Sequence, residues 1–249
     1  MVRGGKNFVK NLLATLFWVA VWHILAAHMG NPLLLPTPWQ VLCRLWELMG
    51  TADFWRITAV SLGRILLGAV SAMVLGVVLA VVTAASSLVD ALVGPLMTAV
   101  QATPVASFAI LVLIWLQRDY VPVLICGMMV LPVVWSNVSA GIRETDVQLL
   151  ELAKVYRLPW GKVLQRIYVP SVLPYFRAAC SSALGLGWKA GIAAEVLTVP
   201  KSSIGRMISE SKMYLLTEDL FAWTLAVILL SLLLQKLMLR MLGGRKDHA

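Results

Sequence analysis

Apolar residues in this chain fall into long runs that few charged positions interrupt. Uncharged stretches of 25, 27 and 23 residues separate Arg64 from Asp90, Asp90 from Arg118, and Asp119 from Arg143. A helix needs about 20 apolar residues to cross the hydrocarbon core of a bilayer. The runs do not alternate in segments of about ten residues, as the strands of a membrane barrel do. The pattern therefore predicts an all-α, polytopic membrane protein.

We predict that residues 1–249 form a single transmembrane domain with six membrane-spanning helices. The fifth span is the least apolar because it contains Lys189 and Glu195. The first could instead be a cleaved signal peptide, but its length, with Trp18 and Trp22, favours a retained span. The predicted spans are about 8–27, 57–84, 88–116, 120–141, 174–198 and 220–241.

The segment 38–49, between the first two spans, is amphipathic and contains Trp39 and Trp46. Tryptophan concentrates at the boundary between lipid and water, so we expect a helix in the headgroup layer.

Composition and charge support this class. The 249 residues are 60% hydrophobic and only 13% charged, with a net charge of +9, whereas soluble domains carry about 25% charged residues. With the N-terminus inside, 13 of the 21 lysines and arginines fall on the inner side and six on the outer side. This bias predicts cytoplasmic termini and a cytoplasmic loop at 142–173. The positive charge is then explained by membrane orientation, without a nucleic acid partner.

No arrangement of residues predicts an enzyme. The chain lacks a glycine-rich phosphate loop followed by Lys-Ser or Lys-Thr, so we expect no ATP hydrolysis by this chain itself. Cys43, Cys126 and Cys180 do not have the spacing of metal ligands. We therefore expect no metal and no cofactor bound to this chain.

The loop is the one long polar interruption, and its pattern predicts two short helices. Thr145 and Gln148 have the spacing of a capping box at the start of a helix that continues to Tyr156.

Prolines define the second helix of the loop. Pro159 suits the first turn of a helix that continues to about Tyr168, and Pro170 and Pro174 are expected to end it. The sequence thus predicts two helices joined by a sharp corner.

The loop resembles the "EAA" loop of ATP-binding-cassette (ABC) importer permeases. The matching positions are Glu151, Ala153, Ile167 and Pro170. Arg157 stands where the family pattern usually has a glycine in the left-handed conformation of a helix C-terminus. That conformation costs a residue other than glycine roughly 1–2 kcal/mol, which leaves the shape of the corner open.

Further segments resemble the permeases of the nitrate/sulfonate/taurine type, and together the resemblance covers about residues 31–242. The matching segments are Leu34-Leu35-Pro36 with Pro38, Thr103-Pro104 with Trp115, Ala194-Glu195, and Ile204-Gly205.

This resemblance implies the architecture of a type I ABC importer in a bacterial inner membrane. The chain would pair with a second permease copy, most simply as a homodimer, although a heterodimer stays open. Two cytoplasmic ATPase subunits would bind ATP and Mg²⁺, and an extracytoplasmic binding protein would deliver nitrate, a sulfonate, taurine or a pyrimidine precursor.

The resemblance also implies which loop residues contact the ATPase. Glu151 would cap or pair at that junction, and Leu152, Tyr156 and Trp160 would be apolar anchors. The full set of predicted coupling residues is Glu151, Leu152, Ala153, Tyr156, Arg157, Trp160, Gly161 and Pro170.

Five residues are candidates for the translocation pathway. Charges at membrane depth are costly and usually face a cavity or a partner, so Lys189 could attract an anionic substrate and Glu195 could organise an outer gate. The alternatives are a lysine that reaches the interface and a structural hydrogen bond. Gln101 and Thr103 beside Pro104 would either line the pathway or satisfy a carbonyl that the proline frees.

Two other functions compete with this interpretation. An ion-driven secondary transporter would show inverted repeats and several polar groups at mid-membrane depth. A membrane anchor without transport would not need a bent loop that matches the family pattern.

Overall fold

The computed structural model describes residues 2–241, and all regular secondary structure in this range is helical. A short π-helical stretch, Leu164–Tyr168, joins the eighth helix directly to the ninth. The helices are α1 (Val2–Met29), α2 (Pro38–Met49), α3 (Ala52–Ala85), α4 (Ser87–Ala102), α5 (Val105–Val112), α6 (Val121–Arg143), α7 (Val147–Val155), α8 (Trp160–Val163), α9 (Val169–Thr198), α10 (Ile204–Met213) and α11 (Thr217–Met241).

Four of these helices are long and apolar enough to cross a membrane, and a fifth crossing results if the bent pair α4 and α5 counts as one span. The helix at the fifth predicted span, α9, is 30 residues long but is not among them. Its mean hydropathy is lower because its serines and glycines accompany Lys189 and Glu195. The four segments that are long and apolar enough to cross a membrane are Leu12–Met29, Ala52–Ala85, Val121–Arg143 and Thr217–Met238.

The predicted span over 88–116 is not one straight helix. The chain bends by 100° between α4 and α5, at Thr103 and Pro104. Proline has no N–H to donate to the preceding turn, so the helix cannot continue through it without losing a hydrogen bond. The Thr103 hydroxyl donates to the carbonyl oxygen of Ala99 at 2.8 Å, which satisfies a group that the break exposes.

The core forms where α6 packs between α3 and α9. Glycines allow this close packing, as is typical of helices in membranes. A Cβ atom at Gly68 of α3 would lie 2.4 Å from the carbonyl oxygen of Val123. A Cβ atom at Gly187 of α9 would lie 2.7 Å from Val130 and 2.8 Å from Cys126. The three helices can therefore keep their spacing only if these positions have no side chain.

The predicted amphipathic helix at 38–49 is confirmed as α2, with Pro38 in its first turn. Thr37 and Gln40 form a capping box in which each side chain accepts a hydrogen bond from the other residue's backbone N–H. Arg44 donates hydrogen bonds to Asp219 on α11 and to Glu47. The hydrogen bond to Asp219, and to a lesser extent that to Glu47, raises the pKa of Arg44 above its usual value. The side chain therefore stays charged and holds α2 against α11.

The glycine packing yields a prediction with a control on the same helix. Replacing Gly68 by alanine forces the new methyl group against the backbone of α6, which should destabilise the fold by about 1–3 kcal/mol. Gly63→Ala meets no atom within 4 Å and should be neutral or stabilising by up to about 1 kcal/mol. Thermal unfolding of the two purified variants in detergent measures the difference. Equal melting temperatures would contradict the close α3–α6 contact.

Candidate functional site

The polar loop begins with a helix whose cap differs from the prediction. The N-cap of α7 is Asp146, whose carboxylate accepts a hydrogen bond from the backbone N–H of Gln148 at 2.8 Å. Thr145 is buried and donates its hydroxyl to the carbonyl oxygen of Gly141 instead. The predicted capping box of Thr145 and Gln148 is therefore wrong by one residue. The short carboxylate of Asp146 takes the capping place because the hydroxyl of Thr145 already bonds to the last turn of α6.

The corner after α7 has the geometry that the family pattern usually assigns to glycine. Arg157 adopts a left-handed conformation with φ of 49°. The N–H of Leu158 donates to the carbonyl oxygen of Ala153 at 2.9 Å, and the N–H of Arg157 donates to that of Lys154 at 3.1 Å. This pair of bonds is the Schellman arrangement of a helix C-terminus. The hydrogen bonds offset the strain of arginine in this conformation, so the sharp corner forms without glycine.

The second helix of the loop does not end at the prolines, contrary to the prediction. Pro159 precedes α8, as expected, but α8 continues through the π-helical stretch into α9, which contains both Pro170 and Pro174. In the π turn the N–H of Val169 donates to the carbonyl oxygen of Leu164, five residues earlier. This wider turn admits Pro170 in the first turn of α9 without ending the helix.

We call residues 147–168 the elbow. Its inner side holds a small apolar cluster formed by Ala153, Val163 and Ile167. Its outer side exposes Tyr156 by 71% and Trp160 by 69%. The other predicted coupling residues apart from Ala153 are exposed as well, namely Glu151, Leu152, Arg157, Gly161 and Pro170. The elbow thus presents a connected apolar and charged surface that no other helix covers in the described part of the chain.

Glu195 is fully buried near the opposite end of α9. Its Oε2 accepts hydrogen bonds from the Ser61 hydroxyl at 2.8 Å and from the N–H of Gly205 at 3.1 Å. Ser61 accepts a hydrogen bond from the N–H of Ile204 at 2.8 Å, and Ser203 caps the N–H of Arg206. The first backbone N–H groups of α10 therefore donate to Ser61 of α3, Glu195 of α9 and the N-cap Ser203. The carboxylate of Glu195 is electrostatically favourable at this helix N-terminus.

Gly205 is required at this junction, because a Cβ atom there would lie 2.3 Å from the Cβ of Glu195. The sequence indicated Glu195 as a charge at membrane depth but gave no signal for its partners. Whether Glu195 also takes part in gating stays a prediction.

Arg64 lies beside this cluster and connects two loops. Its Nη2 donates to Oδ1 of Asp119 at 2.7 Å and to the carbonyl oxygen of Lys201 at 2.9 Å. Its Nη1 lies 3.9 Å from Oε1 of Glu195. Asp119 also accepts a hydrogen bond from the N–H of Lys201. Arg64 therefore joins the segment before α6 to the turn between α9 and α10, a role that the sequence alone did not predict.

The pathway candidates do not form one cluster. Lys189 is exposed, and in the part of the chain that the structure describes it has no hydrogen bond or ion pair. Six residues along α9, Glu195 points about 120° away around the helix. Gln101 is exposed at the end of α4, while Thr103 satisfies its own helix at the bend. Lys189 and Gln101 thus remain open to a partner or a cavity, whereas Glu195 and Thr103 have partners within the subunit.

Comparison with known proteins identifies the family. Residues 72–243, more than two thirds of the chain, match the model of the binding-protein-dependent transport system inner membrane component. This range includes α4 to α11, and therefore the elbow, Glu195 and Gly205, whereas Ser61 of α3 lies before it. The chain belongs to this family, which confirms the predicted membership in the ABC importer permeases of the nitrate/sulfonate/taurine type.

Relatives of several transport systems match over most of their length. The chain is 25% identical to the taurine transport system permease protein TauC of Escherichia coli, over 86% of the chain and 80% of that protein. It is 29% identical to the formylaminopyrimidine transport permease protein ThiX of Halalkalibacterium halodurans, over 69% of the chain and 70% of that protein. It is also 28% identical to the bicarbonate transport system permease protein CmpB of Synechocystis, over 62% of the chain and 55% of that protein.

The buried cluster predicts that Ser61→Ala destabilises the protein. The change leaves the N–H of Ile204 without a partner and removes a donor from Glu195, which should cost about 1–3 kcal/mol. The control is Ser71→Ala on the same helix, because Ser71 is exposed and bonds only to its own helix carbonyl at Gly68. Hydrogen exchange at the amides of α10 should become faster in Ser61→Ala alone. Unchanged exchange in both variants would show that the cluster does not hold α10.

Proposed function

We propose that this chain is the membrane-spanning subunit of an ABC importer. Two copies form one translocation pathway, two cytoplasmic ATPase subunits bind and hydrolyse ATP with Mg²⁺, and an extracytoplasmic binding protein delivers the solute. The chain itself then acts as a permease and carries out no chemistry. Family membership and the form of the elbow support this proposal.

The exposed elbow is the single observation that carries the proposal. Two short helices meet at a fixed corner, and Tyr156 and Trp160 project from it with little cover. Large exposed aromatic side chains are typical anchors of protein interfaces, and Glu151 adds a negative charge beside them. A rigid helical corner passes a rigid-body motion to the helices that it joins, which are α6 and α9. The elbow thus suits a docking site for an ATPase.

The topology follows from placing the elbow in the cytoplasm. Six spans result when α4 and α5 cross together as one broken span and α9 crosses as the fifth, although it is less apolar. Both termini and the loop at 142–173 then lie on the cytoplasmic side, while α2 and α10 lie on the outer side. The excess of lysine and arginine on the inner side supports this orientation.

Broken and polar helices mark the proposed pathway. Irregular backbone at membrane depth is tolerated where it is buried in protein or lines a water-filled cavity, and the bend at Thr103 and Pro104 is such a segment. Gln101, which is exposed beside the bend, would then face the cavity. The lower hydropathy of α9 has the same explanation, because a helix that borders water does not need an apolar surface all round.

The solute is a small organic or anionic molecule of the classes named for the relatives. TauC, ThiX and CmpB are named for taurine, formylaminopyrimidine and bicarbonate, so the fold serves solutes of different shape. We therefore assign the choice among these classes mainly to the binding protein that delivers the solute.

Removal of the two aromatic side chains of the elbow should abolish ATPase binding. We expect the double variant Tyr156→Ala, Trp160→Ala to retain at most about a tenth of the co-purified ATPase, because interface anchors each contribute about 2 kcal/mol or more. The matched control is Tyr214→Ala, Trp46→Ala, which removes the same two residue types at similar exposure, 69% and 76%, from the proposed outer side.

Co-purification of a tagged permease with its ATPase, followed by ATP hydrolysis in the isolated assembly, measures both variants. Equal recovery of the ATPase with the elbow variant and with the control would overturn the proposed docking site. Glu151→Arg should also lower the recovery of the ATPase. It should do so without disturbing the helices, since Glu151 is exposed and has no ion pair within the described residues. Unchanged recovery with Glu151→Arg would likewise contradict the docking site.

A further inference from the structure

The surface of α9 carries one open stripe with an unusual composition. The exposed positions after Arg177 recur every three or four residues and so lie on one face. Other helices cover the rest of this part of α9 wholly or in part. The stripe consists of Ala178, Ser182, Leu186, Lys189, Ala193 and Leu197. It therefore combines small, polar and charged residues with two leucines.

The exposed stripe of α3 is a useful comparison within the same molecule. Apart from Ser71, its exposed positions from 67 to 81 are large apolar residues without charge, namely Leu67, Val70, Val74, Leu75, Val78 and Val81. Such a stripe suits the hydrocarbon tails of lipids, whereas small and polar residues favour contact with another helix or with water. The two stripes therefore face different surroundings, and that of α9 is not built for lipid.

Lys189 lies near the middle of the membrane. It comes nine residues before the end of α9 at Thr198, which corresponds to about 14 Å along a helix that rises 1.5 Å per residue. The half-thickness of the hydrocarbon core is about 15 Å. The neighbouring Gly187 packs against Cys126 and Val130 of α6, well inside that helix. A lysine at this depth cannot remain charged in contact with lipid at low cost.

Residues 2–241 offer no acidic partner for Lys189 at this depth. Among the acidic residues that the structure describes, only Glu195 lies deep in one of the helices proposed to cross the membrane. Glu195 is buried and bonded to Ser61 and Gly205. Asp90 and Asp219 lie in the first turns of α4 and α11. A second copy of the chain would therefore bring a second lysine to the stripe without bringing an acid.

We propose that the α9 stripes of two copies face each other across the water-filled pathway, where the two Lys189 side chains select for solutes that carry negative charge. This inference rests on the proposed function and adds the residue that sets its charge preference. Two ammonium groups in a narrow passage raise the local concentration of anions and repel cations. The solute would bind transiently through its carboxylate, sulfonate or similar oxyanion.

The test measures the potential beside Lys189 with two reagents of known charge. In a Cys43→Ser background, Ala193→Cys places a thiol one turn from Lys189 on the same stripe. We expect it to react at least about tenfold faster with sulfonatoethyl methanethiosulfonate than with its cationic trimethylammonium counterpart. Lys189→Met should reduce this ratio to about one, and Lys189→Arg should preserve it. Ser182→Cys provides a second position if Ala193→Cys does not assemble.

The control is Val74→Cys on the apolar stripe of α3, which is 61% exposed and should react with neither reagent. The proposal is overturned if the thiols of Ala193→Cys and Ser182→Cys are as unreactive as that of Val74→Cys. It is also overturned if Lys189→Met leaves their preference for the anionic reagent unchanged. Co-purification of the ATPase is measured on the same preparations. An assembly that binds its ATPase but lacks the charge preference would refute the role of Lys189 alone, while an assembly without ATPase would refute the proposed function.

Discussion

Close packing of three helices at glycine residues is the constraint on which the rest of this structure depends. The helix α6 lies between α3 and α9, and the contacts at Gly68 and Gly187 leave no space for a side chain. Interior packing of this kind resists gradual deformation, so the three helices should move together. The elbow and the Glu195 cluster are both attached to this unit.

The elbow is attached to this unit at both ends. Only three residues separate α6 from α7, and α8 passes through the π turn into α9 without a break. A force on the elbow would therefore reach α6 and α9, and through α9 the face that bears Lys189. At the other end of α9, Glu195 and Ser61 hold α10, and Arg64 holds the segment before α6. Glu195, which is buried, and Arg64, which is partly buried, thus stabilise the end of α9 away from the elbow, whereas Lys189 is left open.

Long apolar runs and an amphipathic segment with two tryptophans were sufficient to predict the membrane class and α2, because bilayer thickness and headgroup chemistry act on composition alone. The 100° bend at Thr103 and Pro104 was not predicted as a break, since proline is also compatible with a kinked but continuous helix. The cap at Asp146 was missed because Thr145 and Asp146 are both good caps, and only the contact with Gly141 decides between them. The continuation through Pro170 depends on a π turn, which has no reliable signal in one sequence.

In the candidate site, too, some residues could be predicted from the sequence and others could not. The charged residues Arg64, Lys189 and Glu195 were visible because they interrupt apolar helices. Their partners were not, since Ser61, Asp119 and Gly205 come from distant parts of the chain and resemble ordinary helix and loop residues. The left-handed conformation of Arg157 shows that backbone hydrogen bonds can keep a corner whose usual glycine is absent.

The side of the membrane on which the elbow lies tests the account most directly. In a Cys43→Ser background, Trp160→Cys and Tyr214→Cys place exposed thiols at the elbow and at the end of α10. A membrane-impermeant thiol reagent should label Trp160→Cys only in inverted vesicles and Tyr214→Cys only in right-side-out vesicles. Labelling of Trp160→Cys in right-side-out vesicles would put the elbow outside, beyond the reach of a cytoplasmic ATPase, and would contradict the account.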